Sequence, residues 1–589
     1  MKFSKARAVV ICVAASWVAP LSLAADGGAV SGELRKWHPV TVTFDGPAAG
    51  ESGNPNPFTD YRLDVTFSAG DRTVVVPGYY AADGNAAETG ASEGNKWRVH
   101  FTPDREGTWS YVASFRTGPD VAVSGDPNAG SSCAFDGARG AFQVSATDKK
   151  PPDFRAKGML QYVGGHYLRF AETGEYFIKG GADSPENFLG YYEFDQTPPK
   201  HRYAPHAGDW CEGDPTWAGG KGKNIIGALN YLASQGMNSV YFLTMNVKGD
   251  GRDVWPWTGP TEHTRFDCSK LDQWEVVFAH MDRRGLMLHV VTQEQENDQL
   301  LDGGELGPTR KPYYRELVAR FAHHLAVVWN LGEENSNTTQ QIKAFADYIR
   351  RLDPYDHPIV IHTWGSERGK IRALTPLLGY ENLDGVSLQN GMDTVASQML
   401  RWRQASAKAG HPWVMCYDEI GPSRMGIKLD STDPNHDLPR HLALWGFLMA
   451  GGAGVEWFFT SPQGDLDCED WRSRQNMWDQ TRYALEFFQR HLPFNEMVAA
   501  DGLTPDPSDC VLAKPGEVYA IYLPKGGSAS LNLAGSSGNF LVRWFDPRNG
   551  GQLQDGAVTS VRGGGNADLG APPRDPDKDW VVLVKAAGE

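Results

Sequence analysis

Between residues 33 and 147, hydrophobic and polar residues alternate with a period of two in short runs that clusters of Gly, Asn, Pro and Asp separate. Alternation of this kind is typical of half-buried β-strands, and the regular spacing of the turns favours an antiparallel sandwich. We therefore predict an immunoglobulin-like β-sandwich over 33–147. Short apolar runs return near the end of the chain and predict a smaller β-sandwich over 500–589.

The pattern over residues 156–495 is different. Short apolar runs alternate with stretches in which apolar side chains recur at i, i+3 or i+4, and i+7, as in amphipathic helices. Eight strand–helix pairs predict an α/β fold of the (β/α)8 (TIM) barrel type, with a doubly wound sheet as the alternative. The predicted strands are 176–179, 239–244, 286–292, 326–329, 358–362, 385–388, 413–417 and 455–459.

The N-terminal 25 residues have the organisation of a signal peptide. Lys2, Lys5 and Arg7 form a basic start, an apolar stretch follows, and Ser22-Leu23-Ala24 offers a small-x-small cleavage site. We expect residues 1–25 to be removed and the mature protein to be secreted or periplasmic. No other segment is long and apolar enough to predict a membrane span.

Composition excludes several classes of protein. The formal net charge is −16, from 56 Lys and Arg against 72 Asp and Glu, so we expect no nucleic-acid partner. Aromatic residues are 11% of the chain and include 19 Trp, which excludes a disordered chain and suits a protein that handles carbohydrate. We expect no cofactor and no catalytic metal. The oligomeric state and the disulfide pairing stay open.

The candidate chemistry lies where the predicted strands end, because (β/α)8 enzymes build their active sites at the carboxyl ends of the strands. Carboxylates, amides and indoles follow almost every predicted strand, and such groups bind sugar hydroxyls and sugar ring faces. We expect them to bind a polysaccharide or oligosaccharide. The residues are Asp183, Asn246, Glu294, Glu333, Glu334, Asn335, His362, Trp364, Gln389, Tyr417, Glu419 and Trp457, with Trp257 in the loop after strand 2.

Two of these carboxylates have the arrangement that glycoside hydrolysis requires. One carboxyl group protonates the leaving oxygen, and the other attacks the anomeric carbon or activates water. Glutamates follow predicted strands 4 and 7, which lie on opposite sides of a barrel and so face each other across a bound sugar.

The sequence around these glutamates resembles a known family. Residues 329–335 (WNLGEEN) resemble the strand-4 motif W-x-x-G-N-E-P of the large retaining clan of barrel glycoside hydrolases, and residues 417–421 (YDEIG) resemble its strand-7 motif. The resemblance implies that Glu334 is the catalytic acid/base and Glu419 the nucleophile. Glu333 stands where the motif has Asn, and Asn335 where it has Pro. Glu333 therefore remains the alternative acid/base.

The layout of the whole chain resembles secreted apiosidase-like glycoside hydrolases. These have an N-terminal domain of unknown function, which residues 35–40 (RKWHPV) and 101–109 (FTPDREGTW) resemble, and a C-terminal domain labelled "putative collagen-binding". Residues 448–454 (LMAGGAG) resemble the segment between helix 7 and strand 8. The resemblance implies a secreted glycoside hydrolase with a retaining two-glutamate mechanism and no cofactor.

Two other functions stay open at this point. One is a non-catalytic carbohydrate-binding or adhesion protein on a degenerate barrel, and the other is a polysaccharide lyase. The acidic loop 465–470 (DLDCED) is a candidate for structural calcium, although acidic loops are more often simply solvated. Sugar identity, linkage, and endo or exo action depend on loop shape and are not readable from the sequence.

Overall fold

The computed structural model describes residues 27–587, so the predicted signal peptide lies outside the described residues. The chain first forms two antiparallel sheets. One contains, in spatial order, Ala29–Gly32, Val40–Gly50, Glu93–Phe101 and Tyr79–Tyr80. The other contains Arg72–Pro77, Tyr61–Ala69, Gly107–Thr117 and Ser131–Ser132, and Arg139–Val144 also pairs with Gly107–Thr117. Phe67 and Phe101 stack at 4.2 Å between ring centroids, which packs the sheets face to face.

The middle of the chain forms a closed barrel of eight parallel strands. They are hydrogen-bonded in chain order, and the last strand pairs with the first. The predicted (β/α)8 barrel between two β-regions is therefore confirmed. The strands β1 to β8 are Lys179–Ala182, Ser239–Leu243, Met287–Val291, Val327–Asn330, Ile359–His362, Gly385–Asn390, Val414–Ile420 and Gly454–Trp457.

Strand β1 begins three residues later than the predicted run 176–179. Tyr176 forms an antiparallel bridge with Arg169, and the Phe177 N–H donates to the carbonyl of Leu168. The backbone of this apolar stretch therefore pairs with the short hairpin that precedes the barrel, which consists of Leu160–Gln161 and Arg169–Phe170.

A helix follows each barrel strand. The helices α1 to α8 are Lys223–Ser234, Cys268–Arg284, Arg310–Phe321, Thr339–Leu352, Glu367–Leu374, Val395–Lys408, the π-helical Pro439–Gly446 continued by Phe447–Met449, and Gln475–His491. In α4, Thr338 caps the N-terminus through a reciprocal capping box with Gln341, and Ile342, Phe345 and Ile349 form the buried face.

A network of buried ionic groups joins the strands inside the barrel. The Lys179 Nζ atom lies 2.5 Å from Asp418 Oδ1 and 3.0 Å from Glu456 Oε2. His289 Nδ1 lies 2.7 Å from the same Glu456 oxygen, and the Ser239 hydroxyl donates to the other. The network connects β1, β2, β3, β7 and β8, and each of its charges has a partner.

The end of the chain forms a six-stranded sheet with an additional two-stranded ribbon. Its core contains Trp544 and Trp580. Arg440 of α7 donates through Nε to Asp579 Oδ2 at 2.8 Å and so joins this sheet to the barrel. In spatial order the sheet contains Val498–Ala499, Cys510–Lys514, Val518–Leu523, Trp580–Ala586, Asn539–Phe545 and Ser560–Arg562, and the ribbon pairs Ala529–Asn532 with Asn566–Gly570.

The N-terminal sheets pack on the barrel through buried polar contacts. Arg315 of α3 donates to Asp64 Oδ1 at 2.9 Å, and Arg320 of the same helix donates to the carbonyl of Tyr80 at 2.9 Å. Arg265, in the loop after β2, donates to the carbonyl of Glu51 at 2.7 Å. Arg315 and Arg320 are both buried, so the N-terminal sheets complete hydrogen bonds that this barrel helix needs.

Two further observations hold for residues 27–587. No helix there combines the length and the hydropathy that crossing a bilayer requires. The six cysteines in this part of the chain are not bonded to one another.

Candidate active site

Three carboxylates from different sides of the barrel meet at the carboxyl ends of the strands. Glu186 follows β1, Glu333 follows β4 and Glu419 ends β7, and one oxygen of each lies within 4.8 Å of the others. Oxygen atoms this close are also an arrangement that binds a divalent cation. The strand-end position agrees with the position of active sites in (β/α)8 enzymes.

Glu419 is held by the neighbouring strand. A register shift between Leu388 and Gln389 brings Gln389 opposite Glu419, and the Gln389 side-chain N–H donates to Glu419 Oε1 at 2.6 Å. Burial raises the pKa of Glu419 to about 8, the hydrogen bond from Gln389 lowers it, and the charges of Glu334 and Asp465 raise it. Gln389 therefore favours the ionised form of Glu419 against the effect of burial.

His362, at the end of β5, connects the two predicted catalytic glutamates. The backbone N–H of Glu334 donates to His362 Nδ1 at 3.4 Å, and His362 Nε2 lies 3.4 Å from Glu419 Oε2. Burial lowers the pKa of His362 to about 3, so the ring is neutral. Because Nδ1 accepts a hydrogen bond, the hydrogen-bond pattern assigns the single ring proton to Nε2, on the side of Glu419.

Glu334 has the electrostatic environment of a proton donor. Burial raises its pKa, the Gln389 amide acts in the opposite direction, and the charges of Glu296 and Asp250 raise it further. Its backbone has φ +41°, in the left-handed region that a non-glycine residue rarely adopts. This conformation lets the loop after β4 turn within hydrogen-bond reach of His362.

Glu333 lies against the interior of the site. The Tyr241 hydroxyl donates to Glu333 Oε2 at 3.0 Å, and the Glu333 N–H donates to the carbonyl of Gln293 at 2.8 Å. Burial raises the pKa of Glu333 well above its usual range, and the charges of Glu419 and Glu294 add to this effect. Glu333 is therefore an immediate neighbour of Glu419, and the alternative that it is the acid/base stays open.

Three other predicted ligands follow the first three strands. Asp183 is 1% exposed, and neither of its carboxylate oxygens has a hydrogen-bond partner among the described residues. Asn246 is buried, and its carbonyl accepts the N–H groups of Asp253 and Val254, which fixes the loop after β2. Burial raises the pKa of Glu294 to about 9, together with the charges of Glu296 and Asp250.

Asn335 and Trp364 hold the loop after β4 in place. The Trp364 indole N–H donates to the carbonyl of Asn335 at 3.2 Å, and the Asn335 side chain donates to the carbonyl of Gly332 at 3.3 Å. Trp364 is half-buried, so part of its ring remains open to solvent beside the site. It is the one predicted stacking residue with such a surface.

Trp457 and Trp257 lie in the core, which corrects the expectation that they bind sugar. Trp457 is fully buried and donates its indole N–H to Thr481 of α8 at 2.8 Å. Trp257 is fully buried, with its ring centroid 5.5 Å from that of Tyr313 on α3. Neither indole presents a face to the barrel mouth, because both fill the space between the barrel and its helices.

Tyr417 also faces away from the site, and the expectation that it binds substrate is corrected in the same way. Its ring lies 5.7 Å from Phe447 of α7, and its hydroxyl donates to the carbonyl of Asn390 at 2.8 Å. Alternate residues of a strand point to opposite sides. Asp418 points into the barrel toward Lys179, so Tyr417 points outward.

The sequence-based reasoning missed Tyr241, Glu186 and Asp465. Tyr241 belongs to the apolar run of β2, and nothing in that run marks it as a ligand. Glu186 follows β1 as the predicted ligands do, so its position was a usable signal. Asp465 comes from the long segment after β8; it accepts hydrogen bonds from the Ser184 hydroxyl at 3.0 Å and from the Glu186 N–H at 3.3 Å. Burial raises its pKa to about 7.

Comparisons with known proteins agree with this architecture. Residues 33–116 match the family model described as "Domain of unknown function (DUF5060)", and residues 493–585 match "Putative collagen-binding domain of a collagenase". A crystal structure titled as a putative glycoside hydrolase from Bacteroides vulgatus superposes with a TM-score of 0.63 at 16% identity, over 94% of this chain and 99% of that one. A glycoside hydrolase family 5 structure from the same organism gives 0.53 at 15% identity, over 74% and 95%.

These similarities establish the fold and the order of its parts, as the sequence resemblance implied. At such low identity they show the architecture alone, and they do not name an apiosidase. No curated protein matches the chain.

Proposed function

We propose that this protein is a secreted glycoside hydrolase that cleaves a polysaccharide or oligosaccharide with retention of configuration. Glu419 acts as the nucleophile and Glu334 as the acid/base. The observation that carries the proposal is Glu419 at the end of β7, which accepts a hydrogen bond from Gln389 and lies 3.4 Å from His362, the residue that accepts the Glu334 N–H. Two carboxyl groups on facing strands are the minimum that glycoside hydrolysis requires.

In the first step, Glu419 attacks the anomeric carbon and the glycosidic carbon–oxygen bond breaks. Protonated Glu334 donates its proton to the leaving oxygen. The hydrogen bond from Gln389 lowers the pKa of Glu419 against the effect of burial, which favours the ionised nucleophile, and it orients the carboxylate. The raised pKa of Glu334 keeps a proton available for the leaving group.

In the second step, ionised Glu334 removes a proton from water, and the water oxygen attacks the anomeric carbon. The bond to Glu419 breaks, and the enzyme returns to its starting protonation state. Two displacements give a product with the configuration of the substrate.

The test replaces each proposed group with its isosteric amide. We expect Glu419→Gln to abolish hydrolysis of every substrate found in a polysaccharide panel. Glu334→Gln should lower kcat/KM by about 10²- to 10⁴-fold on natural linkages and much less on aryl glycosides with good leaving groups, which do not need protonation. Glu381→Gln is the matched control, because Glu381 is an exposed carboxylate that precedes β6, at the end of the barrel opposite the site.

Three results would overturn the proposal. A first product with inverted configuration by NMR contradicts the retaining mechanism. If Glu333→Gln, and not Glu334→Gln, loses activity on natural linkages but keeps it on aryl glycosides, Glu333 is the acid/base. Full activity of a Glu334→Gln, Glu419→Gln double variant removes the assignment altogether.

A second candidate is a carbohydrate-binding or adhesion protein. The match of residues 493–585 to a domain described as collagen-binding favours it. It predicts that the protein binds glycan or collagen without turnover of any member of the panel, and that the two amide variants bind as well as the parent protein.

Export rests on the basic and apolar pattern of residues 1–25. We expect expression with the native N-terminus in a bacterial host to give a periplasmic or secreted protein that begins near Ala25 or Asp26. N-terminal sequencing of the mature protein tests this expectation.

A further inference from the structure

The carboxylates of the barrel mouth outnumber the cations near them, of which Lys370 acts on Glu419. Within residues 27–587, no carboxylate oxygen of Asp183, Glu186, Glu333 or Asp465 lies within 4.0 Å of a Lys or Arg side-chain nitrogen. The contrast with the barrel interior is direct, because Asp418 and Glu456 there share Lys179. The excess of carboxyl groups over cations is therefore local to the site.

Asp183 is the clearest sign that a ligand completes this cluster. It is 99% buried, since only 1% of its surface is exposed, and both of its oxygens lack a hydrogen-bond partner in the described part of the chain. The groups that act most strongly on it, after burial itself, are the carboxylates Asp465, Glu419 and Glu333. A buried carboxylate surrounded by like charges is costly unless a donor or a cation reaches it.

The spacing of the cluster suits an ammonium group. Charge-assisted N–H···O bonds are about 2.8 Å long, so three acceptors at tetrahedral angles around one nitrogen lie about 4.6 Å apart. The oxygens of Glu186, Glu333 and Glu419 lie within 4.8 Å of one another. The three carboxylates of different strands are therefore close enough together for one protonated amine to reach all of them.

The position of the cluster relative to Glu419 indicates which sugar atom carries the amine. If Glu419 attacks the anomeric carbon C1, a carboxylate directly beside it faces the substituent of the adjacent ring carbon C2. Glu333 is that neighbour, and Tyr241 fixes its orientation. An amino group at C2 is thus the substituent that both carboxylates reach.

We propose that the substrate is a glycan of 2-amino-2-deoxy sugars with free amino groups, and that Glu186, Glu333 and Glu419 bind the ammonium group next to the bond that is cleaved, with Asp183 and Asp465 behind them. The inference rests on the proposed function, because Glu419 as nucleophile sets the position of C1. Burial and mutual repulsion raise the pKa values of Asp183, Glu186 and Glu333, and a bound ammonium group favours their ionised forms.

The experiment measures binding separately from turnover. Glu334→Gln, in which hydrolysis is slowed, is titrated by calorimetry with tetramers of glucosamine and of galactosamine, and with the matching N-acetylated and unsubstituted tetramers. These probes differ only in the C2 group. We expect one amine form to bind at least tenfold more tightly than both of its analogues, because each charge-assisted hydrogen bond contributes about a factor of ten or more.

Isosteric variants locate the effect. Adding Glu333→Gln or Glu186→Gln should reduce amine binding by about tenfold or more and affect the unsubstituted tetramer much less. Adding Glu381→Gln should leave amine binding within about twofold, because Glu381 is exposed and precedes β6, at the opposite end of the barrel. Circular dichroism and thermal unfolding confirm that each variant is folded.

The outcomes separate this inference from the proposed function. If no amine tetramer binds more tightly than its analogues, or if calcium alone binds and the amines do not, the inference is overturned, whatever the protein hydrolyses. If Glu419-dependent hydrolysis of neutral glycans accompanies that result, the proposed function survives alone. If the amines bind as expected and parent protein cleaves none of them, the proposed function fails and the ammonium site remains.

Discussion

Replacement of Lys179 by Met removes the lysine that two buried carboxylates inside the barrel share. Lys179 lies 2.5 Å from Asp418 and 3.0 Å from Glu456, and all three side chains are buried. Met is unbranched and of similar length, so the change removes the charge while keeping much of the volume. We expect Lys179→Met to lower the free energy of unfolding at pH 7 by about 3–5 kcal/mol, as for other broken buried pairs.

The electrostatics of Glu456 give a magnitude of the same size. Burial alone raises its pKa, but Lys179, His289 and the hydrogen bonds from His289 and Ser239 lower it from 4.5 to about 2. A difference of this size corresponds to about 3 kcal/mol at 1.36 kcal/mol per pKa unit. A lowered folded-state pKa stabilises the protein above pH 4.5, and this stability is lost as the pH falls toward 2. The penalty of Lys179→Met should therefore shrink from pH 7 toward pH 4.

The assay is equilibrium urea unfolding at pH 7 and pH 4, followed by tryptophan fluorescence. Lys408→Met is the matched control, because Lys408 is exposed at the end of α6, and it should change the free energy of unfolding by less than about 0.5 kcal/mol. A penalty for Lys179→Met below about 1 kcal/mol at pH 7, or one that grows toward pH 4, would refute the reasoning.

Three further predictions concern the site. Gln389→Leu removes a hydrogen bond to the Glu419 carboxylate, so the acidic limb of the kcat/KM profile should move to higher pH by about one unit; an unchanged limb contradicts this role. Glu334→Gly relieves a backbone φ of +41° and should lower kcat/KM on natural linkages as Glu334→Gln does, while the free energy of unfolding stays constant or rises by about 1 kcal/mol in urea unfolding. A clear loss of stability contradicts the strain. Trp457→Phe loses the hydrogen bond to Thr481 and should lower the melting temperature while KM stays unchanged; a raised KM would return Trp457 to the site.

Much of the fold was predictable because it depends on local periodicity. The eight apolar runs alternate with helical stripes, and the Thr338 and Gln341 capping pair is readable in the sequence. The start of β1 was not predictable, because 176–178 is as apolar as a barrel strand. Residue 176 pairs with Arg169, and hydrophobic periodicity does not show which segment a strand pairs with.

The site was predictable where it depends on strand ends and not where it depends on side-chain direction. Glu334 and Glu419 follow directly from their strand-end positions. Whether an aromatic residue faces the barrel mouth depends on register, so Tyr417 and Trp457 look like ligands in the sequence and pack against helices in the structure. Asp465 reaches Ser184 from the segment after β8, and no local pattern reports a contact over that separation.

The contacts between the N-terminal sheets and α3 make these sheets and the barrel one unit for protein engineering. Arg315 and Arg320 are buried and take partners from Asp64 and the carbonyl of Tyr80. A barrel excised from its N-terminal sheets would carry two guanidinium groups stripped of these acceptors and an apolar face open to water. Shuffling or truncation therefore has to transfer the sandwich and the barrel together, and only the pair is a portable unit.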